Sequence, residues 1–318
     1  MRIVFMGTPD FAVPSLRALV ESGRYDVVGV VCQPDRPKGR SGRLQPCPVK
    51  EYALLKGIPV FQFERIRRPE GVEAMRGLAP DAWVTAAFGQ ILSQELLDIP
   101  RIGTINVHAS LLPAYRGSAP INWCLINGER ETGITTMLTD KGMDTGDMLL
   151  RVKTPIGPQE TAGELTERLS VMGARLLLET LQAIEAGNCP REAQDPEKAS
   201  YYPLLKKETG RVDWTASASR VANLVRGVNP WPGAWTEMDG GVLKIWKAAA
   251  SQEEASAVPG EVIRSDPKQG LVVATGEGSL ELTEIQAPGS KRMNAKDYLR
   301  GHAIPVGTRL GKGSDYDE

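Results

Sequence analysis

The first half of this chain alternates short apolar runs with amphipathic segments, and that alternation restricts the fold more than any other feature. The apolar runs are Arg2 to Met6, Val27 to Cys32, Ala82 to Ala87, Gly103 to His108, Ile134 to Leu138 and Asp147 to Lys153. Between them, Phe11 to Ser22, Val49 to Lys56, Gly71 to Leu78 and Ala119 to Asn127 read as helices. Strands this apolar are buried on both faces of a parallel sheet. The pattern predicts an α/β domain with a doubly wound, mainly parallel sheet. A long helix closes it. Thr161-Ala162-Gly163-Glu164 reads as a capping box, and Leu165, Leu169, Met172, Leu176, Thr180 and Ile184 follow at spacings of three and four. Ala186-Gly187-Asn188 ends that helix.

From Pro190 to Lys207 the chain is polar and carries Pro190, Pro196 and Pro203, the composition of a linker. Beyond it the pattern changes. Ser217 to Val228 forms one amphipathic helix, stopped by Asn229-Pro230-Trp231-Pro232-Gly233. Five short β runs follow: Ala234 to Met238, Val242 to Ala248, Gly260 to Ile263, Leu271 to Thr275 and Leu280 to Ile285. Asp239-Gly240-Gly241 and Gly276-Glu277-Gly278 read as hairpin turns. Five strands with glycine turns suggest a small barrel of the oligonucleotide-binding type. The expected division is 1–189 for the α/β domain, 190–207 for the linker, 208–310 for the barrel and 311–318 for a disordered tail.

Composition excludes several functions. Across 318 residues, 38 Lys and Arg balance 39 Asp and Glu, so any affinity for nucleic acid must be local. The chain has two histidines, and its four cysteines (32, 47, 124 and 189) form no Cys-x-x-Cys pair, so no metal site is expected. Scattered cysteines fit a reduced, cytoplasmic setting. Met1 to Met6 runs into Gly7-Thr8-Pro9, which reads as a first strand and turn rather than a signal peptide, and no apolar run reaches membrane-spanning length. The glycine spacing of a dinucleotide site and a P-loop are both lacking.

Chemistry concentrates in Asn106-Val107-His108-Ala109-Ser110-Leu111-Leu112-Pro113 and in Asp144 of Gly142-Met143-Asp144-Thr145-Gly146-Asp147. Side chains two apart on a strand share a face, so Asn106 and His108 project together at the carboxyl end of one strand. A lone histidine at a strand end is more often a hydrogen-bonded structural residue, and an Asp-Gly segment is often only a turn. An amide donor, an imidazole and a carboxylate together suit a reaction in which a carbonyl oxygen becomes negative while an amine loses a proton.

Further runs accompany these: Phe5-Met6-Gly7-Thr8-Pro9-Asp10-Phe11-Ala12, Gln33-Pro34-Asp35-Arg36-Pro37, Arg116-Gly117, Asp144-Thr145-Gly146-Asp147 and Trp231-Pro232-Gly233-Ala234. With them the chain resembles the methionyl-tRNA formyltransferase family over nearly its whole length. The resemblance implies transfer of a formyl group from 10-formyltetrahydrofolate to the α-amino group of methionine on initiator tRNA. It assigns catalysis to Asn106, His108 and Asp144. It assigns the folate site to Phe88, Gly89, Gln90, Ile91 and Leu92 and to Ser110, Leu111, Leu112 and Pro113. The role of Asp144 stays open between accepting the amine proton, directly or through water, and supporting a charged His108.

The loop from Pro34 to Lys50 carries Arg36, Lys38, Arg40, Arg43 and Lys50 against the single acid Asp35. By composition it is a solvated loop; by resemblance it enters the acceptor end of the tRNA. From Lys206 to Glu318 there are 15 basic and 15 acidic residues, so RNA contact there requires a one-sided patch. Lys206, Lys207, Lys244, Lys247, Lys291 and Arg292 are its candidates. The competing readings are a formyltransferase for a small amine such as an amino sugar or nucleotide precursor, a formyltetrahydrofolate hydrolase, and a non-catalytic RNA-binding protein.

Overall fold

The computed structural model describes residues 1–38, 42–253 and 256–311. Arg40 and the tail from residue 312 onward lie outside the described residues. The chain divides into two compact units. The first comprises Met1–Pro120, Glu131–Pro155 and Thr166–Tyr202; the second comprises Ile121–Arg130, Ile156–Leu165 and Pro203–Glu318.

The first unit holds strands β1 (Arg2–Gly7), β2 (Asp26–Cys32), β3 (Arg36–Lys38), β4 (Arg43–Gln45), β5 (Val60–Gln62), β6 (Ala82–Ala86), β7 (Gly103–His108), β8 (Arg116–Gly117), β9 (Glu131–Leu138), β10 (Met148–Pro155) and β11 (Tyr201–Tyr202). Helices α1 (Val13–Glu21), α2 (Pro48–Leu55), α3 (Pro69–Gly77) and α4 (Gln94–Leu97) lie between them; α5 (Pro120–Ile126) falls in the second unit from Ile121 on, and α6 (Ala162–Glu185) belongs to the first from Thr166 on. Seven strands form one sheet in the order β10-β9-β7-β6-β1-β2-β5. β5, β2, β1, β6 and β7 are parallel; β9 and β10 each run antiparallel to the preceding neighbour.

The apolar runs explain this sheet. Ile3, Val4, Phe5 and Met6 of β1 are all fully buried. Val4 and Met6 enter one cluster with Trp83 of β6 and with Val72 and Met75 of α3. Ile3 and Phe5 point to the opposite face by strand alternation. The one hydroxyl in the apolar stripe of α6 has its own partner, since Thr180 Oγ1 lies 2.8 Å from Thr136 Oγ1 on β9.

The order β2-β1-β6 places the reversal of strand succession beside β1. Ligands of open α/β sheets collect outside the carboxyl ends of strands at such a point. Here the ends of β1, β2 and β6 are stitched together. Gln33 N–H donates to Thr8 Oγ1 at 3.2 Å, and Thr8 Oγ1 and Gln33 Nε2 both donate to the Phe88 carbonyl, at 3.3 and 3.1 Å.

The second unit holds β12 (Ala234–Met238), β13 (Gly241–Ser251), β14 (Val262–Asp266), β15 (Gly270–Ala274), β16 (Ser279–Gln286) and β17 (Met293–Asn294), with α7 (Ala218–Gly227) and α8 (Ala295–Leu299). The hydrogen-bonded order is β12-β13-β16-β15-β14, all antiparallel, and β17 adds to β16. Leu243, Ile245, Val262, Leu271, Val273, Leu280, Leu282 and Ile285 share one core with Val221 and Val225 of α7, which makes the unit barrel-like.

Two expectations need correction. The barrel unit is not the continuous block 208–310. It also takes in Ile121–Arg130 and Ile156–Leu165, because Ile126 packs on its core, Asn122 Nδ2 donates to the Gly227 carbonyl at 2.8 Å and Gly163 N–H donates to Asn229 at 3.0 Å. Nor is 190–207 a free linker. Glu192 and Met148 exchange backbone hydrogen bonds, and Tyr201–Tyr202 pairs with Arg116–Gly117, so the segment up to Tyr202 is a strap on the first unit.

The Thr161 capping box is present in full. Thr161 N–H and Oγ1 donate to Glu164 Oε2 at 2.9 and 2.8 Å, and Glu164 N–H donates to Thr161 Oγ1 at 3.3 Å. The Thr161 backbone N–H, then its hydroxyl, hold the Glu164 carboxyl below its ordinary value. Thr161→Ala is expected to cost about 1 kcal/mol, read as a lower denaturant midpoint. Because the folded-state value is depressed, Glu164's contribution is complete above the unfolded carboxylate range and is lost as pH falls through the folded value.

Candidate active site

β7 lies between β6 and β9, and this fixes two side chains at its carboxyl end. Asn106 stands opposite Thr85 of β6, whose Oγ1 donates to Asn106 Oδ1 at 2.9 Å. With Oδ1 occupied, the amide nitrogen is the group Asn106 can offer to a ligand. His108 is 6% exposed, and its Nε2 lies 2.9 Å from the Tyr115 carbonyl. A carbonyl only accepts, so Nε2 carries the hydrogen. Proton exchange at His108 is thereby confined to Nδ1, which lies 3.8 Å from Asp144 Oδ1. That separation is longer than a hydrogen bond.

Asp144 reaches this place through its backbone. Its φ is +55°, a left-handed conformation that aspartate adopts more readily than most residues. Oδ2 accepts the Gly117 N–H at 2.8 Å, which leaves Oδ1 on the histidine side. Gly117 has φ +93°, and a Cβ there would stand 2.6 Å from the Tyr202 carbonyl, so only glycine presents its N–H from this position. The loop beneath Asp144 is equally confined: a Cβ on Gly146 would meet the Leu138 carbonyl at 1.8 Å.

The strap completes the arrangement with residues whose roles the sequence did not display. Gln194 Nε2 donates to the carbonyls of Asp144 and Gly146 at 2.8 and 2.7 Å, while its Oε1 accepts Arg116 Nε at 2.9 Å. Arg116 is 5% exposed, and its Nη1 donates to the Tyr201 hydroxyl at 2.5 Å. Tyr115 and Tyr202 stack at 4.9 Å, and the Ser200 hydroxyl accepts the Tyr115 N–H at 2.9 Å. The Tyr115 carbonyl that orients His108 is therefore held from the strap.

The residues assigned to folate divide by what their side chains touch. Phe88 is core, and Gln90 is a strut that accepts the Ile66 N–H at 2.8 Å and donates to the Phe63 carbonyl at 2.7 Å. Leu92 packs on the same cluster. Gly89, with φ +79°, and Ile91, 73% exposed, are the open part of this loop. Ser110 and Leu112 are buried, which departs from a direct ligand role for their side chains. Ser110 Oγ donates to the Ala114 carbonyl at 2.7 Å, Leu112 packs with Met137 and Met148, and Thr135 Oγ1 bonds both the Ser110 carbonyl and the Leu112 N–H. Leu111 and Pro113 are partly exposed at the rim of that turn.

The basic candidates form separate groups. In the first unit, β3 and β4 make a hairpin in which Lys38 pairs with Arg43, and Arg43 is exposed. Arg36 Nη2 pairs with Glu64 at 2.7 Å, and Lys50 is drawn inward by Asp35 at 2.6 Å. In the second unit, Lys244 pairs with Trp235 across β12 and β13, and the Lys207 carbonyl accepts Trp235 Nε1 at 3.1 Å. Lys206 lies beside Lys207 at the start of a 3-10 turn. A register shift in β13 after Ile245 leaves both Lys244 and Lys247 exposed, with Trp246 between them. Arg292 lies 4.5 Å from the Trp246 ring but is held by both Glu284 oxygens.

Comparison with known proteins matches two consecutive segments of the chain. Residues 1–181 match the Formyl transferase family and residues 204–303 match the Formyl transferase C-terminal domain. The methionyl-tRNA formyltransferase of Geobacter sulfurreducens is 53% identical over 312 residues, covering 98% of this chain and 97% of that protein. That of Ruminiclostridium cellulolyticum is 49% identical over 317 residues, covering 98% and 100%. Among solved structures, the sugar 3N-formyl transferase WlaRD superposes with a TM-score of 0.65 at 17% identity, over 92% of this chain and 99% of its own. HypX from Aquifex aeolicus, solved in complex with tetrahydrofolic acid, gives 0.61 at 20% identity, over 94% of this chain and 47% of its own. At those identities the two structures speak to fold alone, whereas identity near one half over almost the entire length decides kinship: the chain belongs to the methionyl-tRNA formyltransferase family.

Proposed function

We propose that this protein moves the formyl group of 10-formyltetrahydrofolate onto the α-amino group of methionine carried by initiator tRNA, with Asn106, His108 and Asp144 around the reacting atoms. The observation that carries the reading is the placement of Asn106 and His108 two apart on β7, with Asp144 Oδ1 3.8 Å from His108 Nδ1. In the reaction an uncharged amine attacks the formyl carbon, and the formyl oxygen gains negative charge. The amine loses a proton, and the bond to the folate nitrogen breaks. The free Asn106 amide suits the oxyanion; one such donor is typically worth about 3–4 kcal/mol. Asp144 Oδ1 suits the amine proton, and Nδ1 is the only nitrogen of His108 able to relay it.

We place the pterin at the carboxyl ends of β1 and β6, where Gly89 and the Ile91 side chain are exposed. The β3–β4 hairpin and the outer face of β12–β13, with lysines around Trp235 and Trp246, suit phosphates and stacked bases. Among the described residues no helix is long and apolar enough to cross a membrane. We place the protein in the cytoplasm, in keeping with its four scattered cysteines.

The deciding experiment incubates the protein with 10-formyltetrahydrofolate labelled in the formyl group and methionyl-tRNA, amino sugars or water alone. Label on the methionyl amine supports the proposal; label only on a small amine, or free formate, overturns it. The hairpin gives a second test. Arg43→Ala is expected to weaken tRNA binding and reduce the salt slope by about one, with folate-analogue affinity unchanged. Arg36 remains available to RNA as well, since an exposed ion pair such as Arg36–Glu64 contributes at most about 1 kcal/mol. An Arg43→Ala protein with the parent's affinity and slope removes the hairpin from the RNA site.

A further inference from the structure

In Ala82-Trp83-Val84-Thr85-Ala86, the whole of β6, every residue is buried, and Thr85 brings the single hydroxyl. The strand lies between β1 and β7, and Thr85 stands opposite Met6 on one side and Asn106 on the other. A hydroxyl taken out of water in this way is costly unless it is hydrogen-bonded. Thr85 Oγ1 donates to Asn106 Oδ1 at 2.9 Å, its one hydrogen bond among the described residues. The buried threonines on the other side of β7 spend their hydroxyls differently. Thr135 holds the Ser110 carbonyl and the Leu112 N–H, and Thr136 faces Thr180. Of these three, Thr85 is the one that bonds a side chain assigned to the reaction.

The terminal torsion of asparagine is broad, and a half turn about it exchanges oxygen for nitrogen. Only the nitrogen donates to a negative oxygen. With the amide reversed, Nδ2 would meet the Thr85 oxygen, which accepts as well as donates, but the Thr85 hydrogen would lose the Oδ1 partner it has now. A buried donor left without a partner carries the full cost of its desolvation. The hydroxyl therefore favours the orientation that keeps Oδ1 on β6 and turns Nδ2 away from it. We propose that Thr85 is a positioning residue that fixes which end of the Asn106 amide meets the formyl oxygen, acting through Asn106 and not on the substrate. This rests on the reading of Asn106 as the oxyanion donor.

The test measures kcat and both KM values of the full-length protein with 10-formyltetrahydrofolate and methionyl-tRNA, with thermal unfolding beside them. Thr85→Val keeps the branched shape and the preference for a strand and deletes the hydroxyl. It is expected to lower kcat about five- to tenfold, the rate equivalent of one neutral hydrogen bond, with both KM values and the unfolding midpoint unchanged. Thr85→Ser returns the hydroxyl and is expected to keep the parent's kcat, whatever the missing methyl does to the midpoint. In an Asn106→Ala background, Thr85→Val is expected to change kcat no further, because effects that pass through one residue are not additive. Thr85→Val with the parent's kcat, Thr85→Ser as slow as Thr85→Val, or an equal loss in the Asn106→Ala background each overturns the proposal. The single Asn106→Ala variant separates the two levels. If it works at the parent's rate, the oxyanion reading falls and Thr85's role falls with it; if it is slow while Thr85→Val is unimpaired, the role of Thr85 alone is overturned.

Discussion

Asp144→Asn is expected to lower turnover by about a hundredfold to ten-thousandfold, the range of positioned acid–base groups, while the protein stays folded. The substitution isolates the charge. Asparagine tolerates the left-handed backbone at this position as aspartate does, and its amide oxygen can still accept the Gly117 N–H now held by Oδ2. What changes is the atom facing His108 Nδ1, where an acceptor of protons becomes a donor. Turnover at saturating methionyl-tRNA and formyl donor is the quantity to compare, with thermal unfolding as the control. If the variant works within a few-fold of the parent, the carboxylate takes no part in proton transfer, and the site rests on Asn106 and His108.

Much of the frame around that carboxylate was legible in the sequence because its signals are local. Gly103–His108 begins and ends where its apolar run does, and period two alone brings Asn106 and His108 to one side. The Thr161 box announces its helix through two side chains three residues apart. Asp239 and Gly240 make the expected hairpin between β12 and β13 with φ of +48° and +73°. The short, non-local pieces were not legible. β8 and β11 have two residues each, and Arg116 pairs with Tyr201 across 85 positions, too far and too brief for any periodicity. The prolines and polar residues that make 190–207 look like a linker equally suit a strap whose hydrogen bonds go to another segment's backbone. The approach of Asp144 to His108 depends on one left-handed residue and on the absence of a Cβ at Gly117, neither of which spacing reveals.

The strap gives the second large effect, at Gln194, which stands 50 residues from Asp144 in sequence. We propose that Gln194 is a positioning residue. Its amide nitrogen holds two carbonyls of the Asp144 loop, and its oxygen takes the Nε of the buried Arg116. Gln194→Ala leaves all three groups without this partner. With a charged group among them, the expected loss is about 2–3 kcal/mol of stability together with at least a tenfold fall in kcat. That variant alone cannot separate positioning from general destabilisation, but Gln194→Glu can. A carboxylate keeps the Arg116 contact, and strengthens it, yet sets an oxygen against the Asp144 and Gly146 carbonyls that the amide now holds at 2.8 and 2.7 Å. The loop must then move while the Arg116 anchor stays. Gln194→Glu is therefore expected to retain most of the unfolding midpoint, to lose kcat at least tenfold and to keep the KM for the formyl donor, whose proposed site lies on the β1 and β6 side of the sheet. A glutamate variant with the parent's kcat, or an alanine variant whose activity loss matches its unfolded fraction, would leave Gln194 only the task of joining the strap to the domain.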